Sequence, residues 1–288
     1  MLEYTNKKMK IKKLFTAICL LFVALSFAQN SIDVMSYNIR LGSADDGENH
    51  WNIRKDKLKD LINYYEADFI GMQEAQKPQI EYLLENNSLY GFLGKPRDEG
   101  ENSEFSCIFY LKNKYKVLQQ DTFWLSETPE KSTKSWDAAY PRIVTYGLFE
   151  NIKTKKKIWV LNTHFDHVGV VARQKSAEII LKKIKQLQGK QNLPVVLTGD
   201  FNSFKTDTWM QPLLNNLQEA SSHSITKPYG GTATWNAFNF KEKPVDQIDF
   251  IFTSKNNTVI KKFRTITDFY DFKYPSDHLP IISRIELK

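Results

Sequence analysis

Ten short runs rich in Val, Ile, Phe and Tyr recur along the chain, and turn residues bound most of them. They lie at 32–39, 68–73, 105–110, 115–124, 142–149, 157–163, 194–199, 247–252, 257–266 and 280–286. Two stretches, 53–66 and 170–188, instead place apolar residues at helical spacing. Strands in this excess, with helices between some of them, predict an α/β or α+β layered sandwich.

The first 28 residues differ in character from the rest of the chain. Five lysines between positions 7 and 13 precede an apolar stretch from Leu14 to Phe27. This order is typical of a secretory signal peptide, and the stretch is shorter than the about 20 residues that span a membrane. We therefore expect residues 1–28 to be a signal peptide and 29–288 to form a single domain. The protein would be exported, to the periplasm or outside the cell, with no membrane anchor after cleavage.

The net charge of the chain says little about its partners. The formal net charge is +7, but residues 1–28 carry five Lys and one Glu, so residues 29–288 carry only +3. Lysine runs such as 153–157 usually form solvated turns. Charge alone therefore gives a weak case for a nucleic-acid partner.

Polar residues suited to acid–base chemistry or metal binding stand at the ends of six predicted strands. They are Asn38, Glu74, Asn162 with His164, Asp200 with Asn202, Asp249, and Asp277 with His278. Each alone is more often a turn residue, but together they indicate a site. Carboxylate and amide oxygens without clustered cysteines suit Mg²⁺, Mn²⁺ or Ca²⁺, and histidines suit a phosphoryl group. No Ser or Cys nucleophile motif competes, so the pattern points to metal-assisted phosphoester hydrolysis.

The motifs SYNIR, GMQEA, NTHFDH, TGDFNS, QIDFIF and SDHLPI carry a family resemblance. In order and approximate spacing they resemble the DNase I-like endonuclease/exonuclease/phosphatase superfamily, in particular a secreted bacterial subgroup. The resemblance implies an α/β fold, a four-layer sandwich of two packed mixed β-sheets flanked by helices. It also implies that 29–288 is one catalytic domain, with its site where strand ends of both sheets meet. We expect a monomer.

The resemblance assigns the metal and the attacking water to five residues. Glu74 matches the family's metal-ligating glutamate, with Asn38 and Asp277 close enough to assist. Asp200 would orient or deprotonate the attacking water. Asn202 would donate a hydrogen bond to the phosphoryl oxygens or to the nucleophile.

Four further residues are expected to face the phosphate. His278 would stabilise the negative charge that develops on phosphorus, and Asp249 would orient His278 and favour its charged form. His164 would be a second stabiliser, or the acid for the leaving oxygen. Arg142, in YPRIV, resembles the family arginine that reaches the substrate phosphate, a task that suits a bidentate guanidinium.

The sequence thus predicts an exported, divalent-metal-dependent phosphoesterase, with Mg²⁺ as the expected cation and Mn²⁺ or Ca²⁺ as alternatives. A nuclease-type phosphodiesterase is favoured, so the phosphoester partner would include nucleic acid. A phosphatase for small or lipid phosphate esters is the alternative. A catalytically dead binding module is a third reading, but such modules lose metal or water residues and none is lost here.

Two further features are left open by the sequence. Trp124, Trp136, Tyr140 and Trp235 could stack on a base or a sugar, although rim or core packing is the commoner role for such residues. The loop over 42–51 is acidic and lacks the ordered alternation of a calcium loop. A mobile acidic loop is expected there, and Asp166 and His167 receive no chemical role.

Overall fold

The computed structural model describes residues 30–100 and 102–288. The signal peptide predicted for 1–28 lies outside these residues. In the described part of the chain, twelve strands form two six-stranded sheets that pack face to face, with helices on their outer sides. The four-layer α/β sandwich implied by the resemblance is therefore confirmed.

The elements are numbered in chain order. The strands are β1 (Ser31–Asn38), β2 (Phe69–Gln76), β3 (Tyr90–Leu93), β4 (Glu104–Leu111), β5 (Tyr115–Trp124), β6 (Ile143–Asn151), β7 (Lys157–His164), β8 (Val195–Asp200), β9 (Leu217–Glu219), β10 (Asp249–Ser254), β11 (Thr258–Thr265) and β12 (Ile281–Leu287). The α-helices are α1 (Trp51–Tyr65), α2 (Lys77–Glu85), α3 (Val170–Gln188), α4 (Gln211–Asn216) and α5 (Ala220–His223), and 3₁₀ turns lie at Gly47–Asn49 and Thr208–Met210.

Both sheets are mixed, and each has one parallel pair at its centre. Sheet A has the order β11-β12-β1-β2-β4-β3, and sheet B has the order β5-β6-β7-β8-β10-β9. In sheet A only β1 and β2 run parallel, and in sheet B only β7 and β8. The carboxyl ends of these four strands meet at one edge of the sandwich, which is where the predicted site residues lie.

The apolar core fills the space between the sheets and the layers beneath the helices. Phe69 of sheet A contacts Phe149 of sheet B with ring centroids 4.8 Å apart. On the outer side of sheet A, α1 buries Leu58. On the outer side of sheet B, α3 buries Ile180 and Ile184. Burial on both faces explains why the central strand β8 opens with a continuous apolar run, Val195–Leu197.

A buried polar network also joins the two sheets. The Asn162 side chain of β7 donates from Nδ2 to the backbone carbonyls of Met72 and Cys107 in sheet A, each at 2.8 Å. Its Oδ1 accepts from Gln73 Nε2 at 2.7 Å and from Thr198 Oγ1 at 3.0 Å. Since every hydrogen-bonding atom of this amide has a partner, its burial is tolerated. Asn162 thus fixes how β7 sits against β2.

The predicted elements agree with the observed ones where the apolar pattern is long. The predicted helices at 53–66 and 170–188 correspond to α1 and α3. Sequence reasoning missed β3 and β9, which have four and three residues, because so short a run carries little periodicity. It also missed α2, which follows β2 without a loop. No helix in residues 30–100 and 102–288 is both long enough and apolar enough to cross a membrane.

Candidate active site

The predicted site residues come together at one edge of the sandwich. Asn38, His164 and Asp200 end strands β1, β7 and β8, and Asp249 begins β10. Seven of the nine predicted residues line a cavity of 570 Å³, namely Glu74, Arg142, His164, Asp200, Asn202, Asp277 and His278. Asn38 and Asp249 lie behind them, fully buried and hydrogen-bonded to members of the lining.

Asp200 stands at the centre of this group. Its Oδ1 accepts the backbone N–H of Asn202 at 2.9 Å, and its Oδ2 accepts Asn38 Nδ2 at 3.0 Å. The Nε2 atoms of His164 and His278 lie 3.5 and 3.7 Å from the same Oδ2. Burial, and then the nearby Asp249 carboxylate, raise the pKa of Asp200. A carboxylate so held is suited to accept a proton from water.

His278 carries a positive charge at neutral pH. Its Nδ1 lies 2.8 Å from Asp249 Oδ2. Burial opposes the charged ring, yet Asp249 and the charges of Asp200 and Asp277 raise the pKa of His278 to about 10. The backbone N–H of Asp249 in turn donates to Thr234 Oγ1 at 3.1 Å, which holds the carboxylate in place. A fixed cation of this kind stabilises negative charge on a phosphoryl group.

His164 is held in the opposite charge state. Burial, and then the positive charges of Arg142 and Arg97, keep the pKa of His164 well below its usual value. With its proton on Nδ1, the ring accepts from Asn202 Nδ2 through Nε2 at 3.0 Å. Asn202 Nδ2 also donates to the carbonyl of Phe165. A neutral ring whose Nε2 accepts a hydrogen bond has no proton on that atom, which disfavours the role of acid for the leaving oxygen through Nε2.

Glu74 and Asp277 form the acidic side of the cavity. Glu74 accepts from Asn38 Nδ2 at 3.0 Å and from the backbone N–H of Leu41 at 3.1 Å. Asn38 Oδ1 accepts from the backbone N–H of Arg40 at 3.0 Å, which fixes the orientation of the amide. Its Nδ2 therefore points to both carboxylates and bridges Glu74 and Asp200. Burial raises the pKa of Asp277, and the Glu74 charge also raises it. Such a donor set of carboxylate oxygens fits a hard divalent cation.

A second group of side chains also lies within range of a single cation. Donor atoms of Asp200, Asp249 and His278 are all within 4.8 Å of one another. In the protein without an ion, His278 Nδ1 contacts Asp249 at 2.8 Å and the pKa of the ring is raised, so a cation bound here would have to displace that proton. The hydrogen bond to Asp249 explains the proximity of this group without an ion. Glu74 with Asp277, on the acidic side of the cavity, is thus a second candidate place for a cation.

Arg40 extends this acidic side into the loop that was expected to be mobile. Its guanidinium contacts Asp46 through two hydrogen bonds of 2.9 and 3.0 Å. The same group lies 4.0 Å from Glu74 Oε2 and 3.9 Å from Asp277 Oδ2. Asp46 is thus engaged with the site through Arg40. Arg40 stands two residues after Asn38 in the SYNIR motif, a signal that the sequence prediction did not use.

Arg142 is anchored by the two residues that were given no role. Its Nε donates to Asp166 Oδ2 at 3.2 Å, and its Nη2 lies 3.1 Å from His167 Nδ1. The His167 ring stacks on Tyr140 with centroids 5.9 Å apart. Asp166 and His167 therefore position the arginine that was predicted to reach the phosphate.

Arg97 and Glu104 complete this wall and were missed from the sequence. They form two hydrogen-bonded contacts of 2.9 and 2.7 Å. The Arg97 guanidinium also lies 4.6 Å from the centroid of the Tyr140 ring. No motif surrounds either residue, because the loop that joins β3 to β4 brings them together.

The four aromatic residues left open by the sequence take different positions. Tyr140 and Trp235 line the cavity and are 46% and 42% exposed, so a ring of a substrate can reach them. Trp124 instead donates from Nε1 to the Arg97 carbonyl at 2.7 Å, and Trp136 lines a separate cavity. Only two of the four are placed to contact a substrate in the catalytic cavity.

A buried carboxylate, a histidine with a raised pKa and a pair of acidic side chains share one cavity at the edge of a two-sheet sandwich, an arrangement suited to the hydrolysis of phosphoesters. The sequence model of the Endonuclease/Exonuclease/phosphatase family matches residues 35–278. The chain therefore belongs to this family.

Solved structures and curated proteins extend this comparison. A mannosyl-6-phosphatase of Bacteroides thetaiotaomicron is 32% identical, with a TM-score of 0.85 over 88% of this chain and 99% of that protein. A family member from Bacteroides vulgatus is 33% identical, with a TM-score of 0.83 over 90% and 99% of the two chains. The exoribonuclease subunit Ccr4 of the Saccharomyces cerevisiae CCR4-Not complex is 23% identical over 82% of this chain. The chain spans only 35% of that subunit's length.

Proposed function

We propose that the protein is a divalent-metal-dependent phosphatase that hydrolyses a phosphate monoester of a sugar. The observation that carries the proposal is the pairing of protonated His278 with the buried Arg142 in one cavity, since a monoester phosphate has two negative charges to neutralise. The cavity volume of 570 Å³ lies in the range of small-molecule sites. Similarity to a mannosyl-6-phosphatase over nearly its full length supports a sugar as the leaving group.

Each residue of the cavity has a separate role in the proposed hydrolysis. Glu74, with Asp277 beside it, would hold the divalent cation, for which we propose Mg²⁺ and which neutralises phosphoryl oxygens when bound. Asp200 accepts a proton from the attacking water, which Asn202 helps to hold. The bond from phosphorus to the sugar oxygen then breaks, and that oxygen takes a proton from solvent water, so that the sugar leaves as an alcohol. His278 donates from Nε2 to the phosphoryl oxygens as charge develops on them. Arg142, fixed by Asp166, orients the phosphate.

A nuclease-type phosphodiesterase, favoured from the sequence, is the second candidate. The observation in its favour is the similarity to the exoribonuclease subunit over 82% of this chain. The exposed rings of Tyr140 and Trp235 in the cavity could stack on a base as well as on a sugar.

The test is an assay of phosphate release and of bond cleavage with Mg²⁺, Mn²⁺, Ca²⁺ or a chelator. Mannose 6-phosphate and glucose 6-phosphate represent the first candidate, and single-stranded RNA and bis(p-nitrophenyl) phosphate represent the second. We expect sugar phosphates to be hydrolysed, the chelator to abolish the activity, and Asp200→Ala to lower kcat by about 10²- to 10⁴-fold. Faster cleavage of RNA would select the second candidate. Metal-independent activity would contradict the mechanism.

Export is a part of the proposal that rests on the sequence of residues 1–28. The basic segment followed by the apolar stretch up to Phe27 supports it. Mass spectrometry of the protein recovered from a producing bacterium should give a chain that begins near Gln29. A full-length chain found only inside the cell would contradict export.

A further inference from the structure

A second groove lies on the outer face of sheet A, away from the catalytic cavity. It has a volume of 420 Å³ and is formed over strands β11 and β12. Asp33, which borders it, stands five residues before Asn38 on β1. At the rise of an extended strand this is about 17 Å, so the groove and the catalytic cavity occupy different ends of the sheet.

The groove concentrates positive charge. Lys262 and Arg284 lie directly opposite each other on neighbouring strands, a like-charged pair that costs stability. Asp33 neutralises Arg284 through two hydrogen bonds of 2.9 and 2.7 Å. Within residues 30–100 and 102–288, neither Lys227 nor Lys262 forms an ion pair, and the carboxylates of Glu286 and Asp33 are engaged by Lys261 and Arg284 instead. Two ammonium groups of the groove are therefore left for an external anion.

Arg264 occupies the centre of the groove between two tyrosine rings. Its guanidinium lies 5.6 Å from the centroid of Tyr65 and 5.5 Å from that of Tyr229. Among the described residues its Nε is buried without a hydrogen-bond partner, and its ion pair with Asp268 is long, at 3.9 Å. The rings orient this guanidinium without neutralising its charge.

The wall that carries Lys227 is fixed to the sheet by its backbone. The N–H groups of Thr226 and Tyr229 donate to carbonyls of β11, each at 3.1 Å. Gly230 follows at φ +94°, where a Cβ atom would lie 2.3 Å from the Thr265 carbonyl oxygen. The groove is thus formed before any ligand arrives, which lowers the cost of binding.

We infer that this groove is a second binding site, which takes the spaced oxyanions of a phosphorylated or sulfated carbohydrate. Lys227, Lys262 and Arg264 supply the charge-assisted hydrogen bonds that such esters accept. Single-stranded nucleic acid fits less well, because it needs free aromatic faces for successive bases and Arg264 already lies against both tyrosines. The site would hold a charged glycan at a distance from the catalytic cavity.

The test uses the intact protein and fluorescently labelled oligosaccharides in a binding titration. The probes are a sulfated dextran oligosaccharide, a phosphorylated mannan oligosaccharide, uncharged dextran and single-stranded DNA. The variant is Lys227→Glu/Lys262→Glu. Its control is Lys112→Glu/Lys190→Glu, which makes the same charge change at exposed lysines outside the groove. Thermal unfolding of all three proteins verifies that they are folded.

We expect the charged oligosaccharides to bind, the uncharged dextran not to bind, and the groove variant to lose at least about tenfold in affinity. The control should retain the affinity of the wild type. The charged oligosaccharide that binds with the higher affinity would show whether the groove prefers sulfate esters or phosphate esters. Equal losses in both variants, or no binding of either charged oligosaccharide, would overturn the proposal. Tighter, groove-dependent binding of single-stranded DNA would overturn the carbohydrate class.

Discussion

The charge of His278 depends on carboxylates that come from distant parts of the chain. Asp249 begins β10 and contacts the ring directly, and Asp200 ends β8. Removing Asp249 would leave burial as the dominant influence, and burial lowers the pKa of a histidine. The cation that faces the phosphate is therefore maintained by its neighbours rather than by the imidazole alone.

This dependence predicts how the stability of the metal-free protein varies with pH. A histidine has a pKa of about 6.5 in an unfolded chain, whereas that of His278 is raised to about 10 in the folded protein. The proton thus stabilises the fold, fully so below pH 6.5, and this contribution is lost as the pH rises through about 10. Urea unfolding in chelator should show a fall in the free energy of unfolding between these pH values.

His278→Gln is the control for that measurement, since glutamine keeps a polar side chain and cannot titrate. The fall in the free energy of unfolding between pH 6.5 and 10 should be smaller in this variant. Parallel pH profiles for the two proteins would show that His278 is not protonated in the fold.

Glu74, the expected metal ligand, lies where the regular pairing of strand β2 is interrupted. The register of β2 against β4 shifts between Met72 and Ala75, so Glu74 lies in a bulge. Its φ is +60°, in the left-handed region that non-glycine residues rarely adopt. The bulge turns the carboxylate toward the cavity, a typical place for strain in an active site.

This strain predicts that two substitutions of Glu74 differ in their effect on stability, although both remove the effect of the metal. Asparagine adopts the left-handed region more readily than glutamine. We expect Glu74→Asn to be more stable than Glu74→Gln by about 1 kcal/mol in urea unfolding without metal. We expect Mg²⁺ to raise the Tm of the wild type and not that of either variant. If the glutamine variant is the more stable, the bulge at Glu74 is not strained.

Strand ends were the part of the site that the sequence could predict. Asp200 and Asn202 were found because each follows an apolar run, and polar residues at such ends stand out. Asn162 shows the same pattern but lies between the sheets, because a strand-end signal does not say how deep a side chain lies. Arg97 and Glu104 carry no such signal, since they meet across the short loop between β3 and β4 and neither follows an apolar run.

The two halves of the site belong to different sheets, and their alignment depends on the contact between the sheets. Sheet A carries Asn38 and Glu74, and sheet B carries His164 and Asp200. Asn162 joins the sheets just beneath. At Gly71 a Cβ atom would lie 2.0 Å from Thr198 Oγ1, so the sheets approach too closely there for any side chain.

Replacing Asn162 by leucine should therefore weaken the whole sandwich. The change removes one hydrogen bond each from the buried carbonyls of Met72 and Cys107, and one from the amide of Gln73, which keeps its contacts with Ser36 and Gly71. We expect the free energy of unfolding to fall by about 2–4 kcal/mol, measured by urea denaturation. Asn113→Leu, at an exposed turn, is the control and should change it by less than about 0.5 kcal/mol. If Asn162→Leu also changes the free energy of unfolding by less than about 0.5 kcal/mol, the hydrogen bonds of Asn162 do not stabilise the sandwich.

Strand β12 lies between β1 and β11, although residues 31–38 and 281–287 stand far apart along the chain. As a ribosome releases the chain, β1 has one edge without a partner until residues 281–287 have left the exit tunnel. Pairing over such a long separation is slow and exposes an open edge in the meantime. Sheet A thus closes only after residues 281–287 have been synthesised. Residues 31–38 consequently lack their second neighbour in sheet A throughout the synthesis of residues 39–280.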